Sequence, residues 1–462
     1  MYFLLALLLI AFIVLYFIAT SDVAVSYKFI FAVAEMVIVG AIMKKMIKPS
    51  KNYWIDGEWG LLLLKTKKGL GTIDKIAKNK KLWNFLTDVG IFACYGFFSL
   101  FFLKNHFTKQ TGFGKKTLNY PKILLGILFL VFISIFIAPY SVQILVTTIK
   151  GQTIPVESVE KASENIFLPW ISAIITFGFG IFGVIFAGLI QSGFFIIEKL
   201  FGMLSGISQL TQKDAGVTLI IPGMNLPLVE GIIALFVILL VHEGAHAILG
   251  RVAKISLHSA GLVLFGSIPI GAFVEPDEES LKKLDCEKQT RVIAAGPCAN
   301  FMFAGIFFLL LLGFMASVND FRETEGLLVI SGMDSGTIIY SVNGEKITDG
   351  LIIEANQKTF LNTSKGELEI ISNSDGKIGV LGYYLDGSSI VRYKHDWMNF
   401  IYITLGLIFS LNFVIGAVNL LPIPIFDGNR IMEINMKYKP IVKILTYIAV
   451  CALLLNFLPW LF

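Results

Sequence analysis

Long apolar runs, separated by short polar segments, set the pattern of this chain. A helix that crosses the hydrocarbon core of a bilayer needs about 20 mostly apolar residues. Runs of about this length predict roughly nine membrane-spanning helices, at residues 2–19, 29–43, 85–103, 123–146, 168–190, 226–250, 299–317, 398–421 and 441–461. The pattern therefore predicts a multi-pass α-helical membrane protein, and we interpret residues 2–19 as a retained signal anchor.

Composition supports this prediction. Hydrophobic residues make up 55% of the chain, which is typical of a membrane protein and excludes an ordinary soluble domain. The formal net charge of +5 is spread over the polar segments, so it does not indicate a nucleic-acid partner. The four cysteines are scattered and form no Cys-x-x-Cys pair, so they predict neither a disulfide framework nor a zinc knuckle.

The distribution of lysine predicts the orientation in the membrane. Residues 44–84 carry eleven Lys against Asp56, Glu58 and Asp74, so this segment is predicted to be cytoplasmic. The sixth span, 226–250, then runs from outside to inside. The same count places 104–122 outside, although this segment has five Lys and no acidic residue.

Two polar stretches predict β-structure. Residues 255–277 are interrupted by Gly and Pro and rich in Val, Ile and Phe, which favours a β-hairpin near the membrane. Residues 319–396 hold twelve Asp and Glu against seven Lys and Arg, which favours a small extracytoplasmic module with turns at Asn343-Gly344 and Asp375-Gly376. His106 and His395 have no partners nearby in sequence and are predicted to be surface residues.

The sixth span carries a metal-binding pattern. His242 and His246 are four residues apart, so on a helix their imidazoles lie on one face and can bind one zinc ion. Glu243 lies beside them and can act as a general base, as in His-Glu-x-x-His hydrolases. Ionisable residues inside a membrane span are costly and usually functional.

The eighth span continues into a second polar pattern, NLLPIPIFDG at residues 419–428. Pro422 and Pro424 break the helix, and such breaks at membrane depth are tolerated inside protein or beside water. The break offers the Asp427 carboxylate at the depth of the two histidines. That depth is roughly 20 Å from the start of the sixth span, in the cytoplasmic third of the bilayer. Two histidines and a carboxylate leave one position of a tetrahedral zinc open.

With both patterns, the chain resembles the site-2 protease family of intramembrane zinc metalloproteases, which are of peptidase M50 type. The resemblance is carried by His242-Glu243-x-x-His246, the stretch 295–300 (AGPCAN) and the pattern Asn419 to Gly428. The approach to the sixth span, LIIPGMNLPLVEG, is similar to archaeal and eukaryotic members. The resemblance implies one Zn²⁺ held by His242, His246 and Asp427, with Glu243 as the general base.

The resemblance also implies supporting roles for other residues. Strand 268–274 would present the substrate and 319–396 would be a PDZ-like α/β insertion. The residues expected to bind substrate or support the site are Asn300, Asn419, Pro422, Pro424, Gly428, Ile268, Gly271 and Phe273. Four regions follow from this interpretation, namely 1–205 (N-terminal spans), 206–318 (first part of the protease core), 319–396 and 397–462 (last part of the core).

These observations predict an intramembrane zinc endopeptidase that cleaves transmembrane segments of single-span membrane proteins. Two alternatives remain open at this point. One is a zinc protease of another membrane family, in which a Glu from a later helix commonly supplies the third ligand. The other is a multi-pass transporter or receptor with a structural metal site.

Overall fold

The computed structural model of the chain describes residues 7, 10–11, 13–14, 17–18, 25–46, 53–58, 60–110, 116–140, 167–218, 220–223, 225–266, 268–323, 325–331, 333, 337–347, 354–385 and 391–461. The first predicted span, 2–19, therefore lies largely outside the described residues. The helices are, in chain order, α1 (Val25–Met46), α2 (Leu70–Ile76), α3 (Lys80–Tyr95), α4 (Ser99–Phe102), α5 (Tyr120–Phe132), α6 (Phe167–Leu204), α7 (Leu228–Val252), α8 (Glu278–Lys282), α9 (Cys286–Ser317), α10 (Asp396–Val418), α11 (Asp427–Asn435) and α12 (Lys439–Phe457). Helix α5 continues through a π-turn at Ile133–Ile137.

The strands form three sheets. They are β1 (Tyr53–Glu58), β2 (Leu61–Thr66), β3 (Thr108–Gln110), β4 (Lys116–Leu118), β5 (Leu257–Phe265), β6 (Ile268–Pro276), β7 (Leu327–Ser331), β8 (Ile338–Val342), β9 (Glu345–Lys346), β10 (Lys358–Thr363), β11 (Gly366–Ile371) and β12 (Leu381–Tyr384). One sheet has the order β1-β2-β5-β6, a second has β11-β10-β8-β7-β12 with β9 paired to β8, and β3 pairs with β4.

Seven helical segments within the described residues are long and apolar enough to cross a membrane. They correspond to the third to ninth predicted spans, and α1 covers the second. The chain is thus a multi-pass helical membrane protein with additional β-sheets. The predicted total of nine spans treats the third and fifth apolar runs as straight helices, and both contain a reversal.

The third predicted span does not continue as a straight helix to residue 103. Helix α3 ends at Tyr95, and Gly96 has φ 55° and ψ −148°. The ring nitrogen Nδ1 of His106 lies 2.8 Å from the Asp88 carboxylate, whereas eighteen residues of continuous helix would separate the two by about 27 Å. The chain therefore turns back at Gly96.

This reversal corrects the predicted side of residues 104–122. Lys122, at the start of α5, also contacts the Asp88 carboxylate. Both ends of segment 104–122 consequently lie beside the first half of α3, at the same end of the molecule as Lys80. The prediction that this lysine-rich segment and residues 44–84 lie on opposite sides was wrong, because hydropathy alone does not distinguish a re-entrant helix from a crossing one.

A second reversal divides α6 at Gly180, where φ is 66° and ψ is −157°. A Cβ atom on Gly183 would lie 3.1 Å from the carbonyl oxygen of Ile175, although eight residues of straight helix span about 12 Å. The two reversals meet, since a Cβ on Gly96 would lie 2.7 Å from the amide nitrogen of Gly180. Such irregular backbone is tolerated at membrane depth because it is buried in protein.

The predicted hairpin at residues 255–277 is present as β5 and β6. Strand β2, in the segment predicted as a cytoplasmic loop, pairs antiparallel with β5, with Leu63 opposite Val263. The lysine-rich segment 44–84 and the carboxyl end of α7 therefore lie at the same end of the molecule. Strand β6 is at the edge of this sheet among the described strands.

The segment 319–396 is β-rich, as predicted. Asn343 and Gly344 have φ angles of 52° and 84°, and two successive residues with positive φ are the signature of a type I′ hairpin turn. This turn joins β8 to β9, as the Asn-Gly pair predicts. A small core of its own lies beneath the sheet and includes Val329, Ile339 and Leu361.

A buried cluster of charges joins the N-terminal helices to α9. Asp88 is 0% exposed and accepts hydrogen bonds from His106, from Lys122 and from Arg291, whose Nε and Nη2 atoms lie at 2.8 and 2.9 Å. His106 is 1% exposed, so its prediction as a surface residue was wrong. Its partner, Asp88, is eighteen positions earlier in the chain, too far away for a local sequence pattern to indicate the contact. His395 is exposed, as predicted.

Asp88→Asn is expected to destabilise the protein by about 3–5 kcal/mol, because it removes the buried counter-charge of Lys122 and one of the two carboxylates that pair with Arg291. The matched control is Asp74→Asn, which removes a carboxylate 2.9 Å from Arg251 that is 53% exposed. Because the Asp74 carboxylate is exposed to solvent, loss of this pair is expected to cost only about 0–1 kcal/mol. Thermal unfolding in detergent measures both, and equal midpoints for the two variants would contradict the expectation.

Candidate active site

Three side chains from two distant helices converge on one point. His242 and His246 lie one turn apart on α7, with their Nε2 atoms 3.2 Å from each other. Asp427, the first residue of α11, places its Oδ2 atom 3.3 Å from the Nε2 of His242 and 3.4 Å from that of His246. Within the described part of the chain, this is the one group of His, Cys, Asp and Glu that could hold a metal ion.

The distances within this triangle fit zinc. Zinc binds His nitrogen and carboxylate oxygen at about 2.0–2.1 Å in a tetrahedron, which requires ligand atoms about 3.3–3.4 Å apart. The Oδ2 atom of Asp427 is also buried without a hydrogen-bond partner, as expected of an oxygen that faces a cation. Three ligands leave one tetrahedral position open, which is typical of catalytic rather than structural zinc sites.

Hydrogen bonds from α9 orient both imidazoles. The Nδ1 atom of His246 lies 2.8 Å from the carbonyl oxygen of Val292, so it donates its proton there and leaves Nε2 free to bind metal. The Nδ1 atom of His242 lies 3.1 Å from the Asn300 side-chain amide, whose oxygen is buried without a partner. If this amide is rotated by 180°, its oxygen accepts the Nδ1 proton of His242. The Nε2 atom of His242 is then free to bind metal, as in His246.

Helix α9 passes directly beside the ligands. A Cβ on Gly296 would lie 2.5 Å from the Nε2 of His246 and 2.6 Å from that of His242, so a side chain there would occupy the site. The helix begins at Cys286, thirteen residues before the start of the predicted span at 299. Residues 287–291 of this extension are polar, and the helix is capped by the Asp285 side chain, which accepts a hydrogen bond from the backbone of Lys288 at 2.9 Å.

A turn positions Asp427. As the prolines predict, α10 ends at Val418 and the chain is non-helical until Asp427. The backbone N–H of Gly428 donates to the carbonyl oxygen of Asn419 at 2.7 Å, which closes the turn at its ends. The Asn419 side chain donates to Ile415 O at 3.0 Å, while Pro422 is buried within the turn and Pro424 is exposed.

One residue of this turn has a strained backbone. The Phe426 N–H donates to Ile423 O at 3.1 Å, so Ile423 to Phe426 form a tight turn with Ile425 in third position at φ 92°. Glycine or asparagine normally occupies such a position, and a β-branched residue there is an outlier that costs about 1–3 kcal/mol. Ile425 is 97% exposed, so burial of its side chain in the protein does not offset this strain.

Glu243 connects the metal-binding residues to the edge strand. The backbone N–H of Val274 on β6 donates to the Glu243 carboxylate at 3.2 Å. Both residues line a cavity of about 260 Å³. The other residues that line it are His242, His246, Pro276, Glu278, Leu281, Val292, Ile293, Asn419, Ile425, Asp427 and Arg430.

The edge strand contributes different side chains from those predicted. Gly271 pairs with Val263, and the Phe273 ring covers Gly261 across the sheet, since a Cβ on Gly261 would lie 2.8 Å from it. The Ile268 side chain is outside the described residues. Of the side chains of β6 that the structure describes, Val274 and Pro276 line the cavity, and Gly271 and Phe273 do not. Contact of Ile268, Gly271 and Phe273 with substrate stays a prediction.

An ion pair that the sequence analysis did not identify lies at the cavity. Arg430 on α11 contacts Glu278, just after β6, with Nη2 and Oε2 3.3 Å apart. The two residues are 152 positions apart, so no local pattern signals their contact.

A second carboxylate near the end of β6, Glu275, is held in its charged form. A hydrogen bond from Ser259 and the nearby Lys65 lower the pKa of Glu275.

Comparison with known proteins agrees with this site. A family model described as Peptidase family M50 matches residues 230–458, a range that contains His242, Glu243, His246 and Asp427. An uncharacterized protein of Methanocaldococcus jannaschii is 30% identical over 260 residues, which cover 51% of this chain and 66% of that protein.

The family match indicates a metallopeptidase, a membrane-located hydrolase of peptide bonds, and it does not support the transporter or receptor alternative. Its range begins two residues after the start of α7 and ends one residue after α12. It therefore includes every element that carries the zinc-fitting triangle and its supporting hydrogen bonds. On these grounds the chain belongs to peptidase family M50, the site-2 protease family.

Proposed function

We propose that the chain is an intramembrane zinc endopeptidase that cleaves transmembrane segments of single-span membrane proteins. The observation that carries this proposal is the triangle of His242, His246 and Asp427 beside Glu243, inside a helix apolar enough to cross a membrane. A structural zinc site would have a fourth protein ligand in place of the open position.

His242, His246 and Asp427 would hold the ion, which supplies Lewis-acid chemistry for hydrolysis when bound. Glu243 lies next to His242 and faces the same cavity, so it takes a proton from the attacking water and returns it to the leaving amine. The hydrogen bond from Val274 holds the Glu243 carboxylate at the edge of β6. Asn419 lines the cavity and can donate to the developing oxyanion.

The substrate must be unwound before it reaches this site. The carbonyl groups of a transmembrane helix are bonded within the helix, so a segment with Gly, Pro or polar residues is the expected substrate. An unwound segment can add to the edge of β6 through main-chain hydrogen bonds. The module 319–396, proposed to be PDZ-like, follows the opposite end of α9 and would limit access by large extracytoplasmic domains.

The pairing of β2 with β5 supports a site near the cytoplasmic face. It brings the lysine-rich segment 44–84 to the carboxyl end of α7, and such segments remain on the cytoplasmic side. His242 lies fourteen residues after the first residue of α7, or about 21 Å along the helix. The proposed cleavage therefore occurs in the cytoplasmic third of the bilayer.

Purified wild-type protein is expected to bind about one zinc ion per chain and to cleave a single-span substrate with a helix-destabilising segment. A zinc chelator should abolish cleavage, and added zinc should restore it, because the open coordination position serves catalysis. Metal analysis and gel-based cleavage in detergent measure both quantities. One bound zinc with no cleavage of any such substrate would contradict the proposal.

A further inference from the structure

The exposed, strained Ile425 has no structural role that explains its conformation. Its φ of 92° suits glycine, and the residue is 97% exposed. Strain of this kind persists where the surrounding structure enforces it, and it concentrates at functional sites. Pro424 before it and the hydrogen bond from Phe426 to Ile423 after it enforce the turn here.

Ile425 lies close to the metal-binding residues. It lines the same cavity as Glu243 and lies two residues before Asp427. Val274 and Pro276 of the edge strand also line this cavity. A substrate that lies along β6 and reaches the metal-binding residues would therefore share the cavity with the side chain of Ile425.

We propose that Ile425 determines substrate specificity by contacting an apolar side chain next to the scissile bond. This inference rests on the proposed function. The protein itself leaves Ile425 exposed, so contact between its sec-butyl side chain and an apolar substrate side chain would bury apolar area in the complex. A charged substrate side chain at the same position would lose its hydration against Ile425 without a partner.

The test uses the full-length protein and one single-span substrate whose cleaved bond is first mapped with wild type. Each residue flanking that bond is then changed to Leu, Ala or Asp. Wild type is expected to prefer Leu over Asp at one flanking position. Ile425→Ala and Ile425→Gly are expected to lower kcat/KM for the Leu substrate about 10-fold, with a smaller change for the Ala substrate.

Two variants and a control separate this role from a structural one. Ile425→Gly relieves the strain of the turn at φ 92°, so this variant is expected to keep the fold, and its thermal unfolding midpoint checks this. Ile425→Ala keeps the constrained turn and removes most of the side chain. Ile444→Ala is the control, because Ile444 on α12 is 56% exposed and is not one of the described residues that line the cavity.

The ratio of kcat/KM for the Leu substrate to kcat/KM for the Ala substrate is the selectivity that tests this proposal. A large decrease of this ratio in both Ile425 variants, with zinc content unchanged, supports the proposal. An equal loss for every substrate, or an unchanged ratio, overturns it and leaves the proposed function standing. Failure of zinc-loaded wild type to cleave any substrate overturns the proposed function, and this inference falls with it.

Discussion

Glu243→Gln is expected to abolish cleavage while the protein keeps its zinc. Glu243 is not one of the three residues of the zinc-fitting triangle, so metal content should stay near that of wild type. The glutamine oxygen can still accept the hydrogen bond from Val274, so strand β6 should keep its place. Loss of proton transfer alone should lower the cleavage rate by about 10²–10⁴-fold. Zinc analysis and single-turnover cleavage measure the two effects separately.

The matched control is Glu230→Gln, the same chemical change in the first turn of α7. Glu230 is thirteen residues from Glu243, roughly 20 Å along the helix. We expect its cleavage rate and zinc content to match those of wild type. Turnover by Glu243→Gln at the wild-type rate would show that another group moves the proton.

The metal-binding residues were predictable because their geometry is local. The spacing of His242 and His246 on one helix fixes their relative position, and the structure places their Nε2 atoms 3.2 Å apart. Pro422 and Pro424 likewise mark the end of α10 by removing backbone donors. That Asp427 meets the histidines depends on how α11 and α7 both pack against α9, and the resemblance to a known family supplied this relation in advance.

The two reversals could not be predicted from hydropathy. A helix that crosses the membrane and one that enters and turns back have the same apolar composition. What distinguishes them is contact between Gly96 and Gly180, which are far apart in the chain and approach without side chains between them. The charged cluster shows the same limit, since Asp88 meets Arg291 across 203 positions.

The pairing of β2 with β5 was also outside the reach of local patterns. Residues 61–66 are mostly leucine and lie between lysine-rich segments, so they resemble an apolar part of a loop. Their partner strand begins about 190 residues later, and a register such as Leu61 opposite Phe265 is set only by the folded chain. The hairpin at 255–277 was predictable because its turn and both of its strands are continuous in sequence.

Asp427→Ala is expected to lose zinc and therefore all cleavage. The substitution removes one of three ligands, and the two histidines alone cannot complete a tetrahedral site. Zinc affinity should fall by more than about 100-fold, because loss of an outer-shell partner alone costs about 10–100-fold. Zinc content after dialysis against a weak chelator measures the effect without reference to activity.

Glu278→Ala is the control for this variant, because Glu278 lines the same cavity but is not part of the zinc-fitting triangle. Its removal should leave the zinc content unchanged. If Asp427→Ala also kept its zinc, the third ligand would have to be another group, such as the glutamate on a later helix that other membrane zinc proteases use. The Oδ2 atom of Asp427, buried without a hydrogen-bond partner between two imidazoles, argues against that outcome, because an unpaired buried carboxylate oxygen is costly unless a cation binds it.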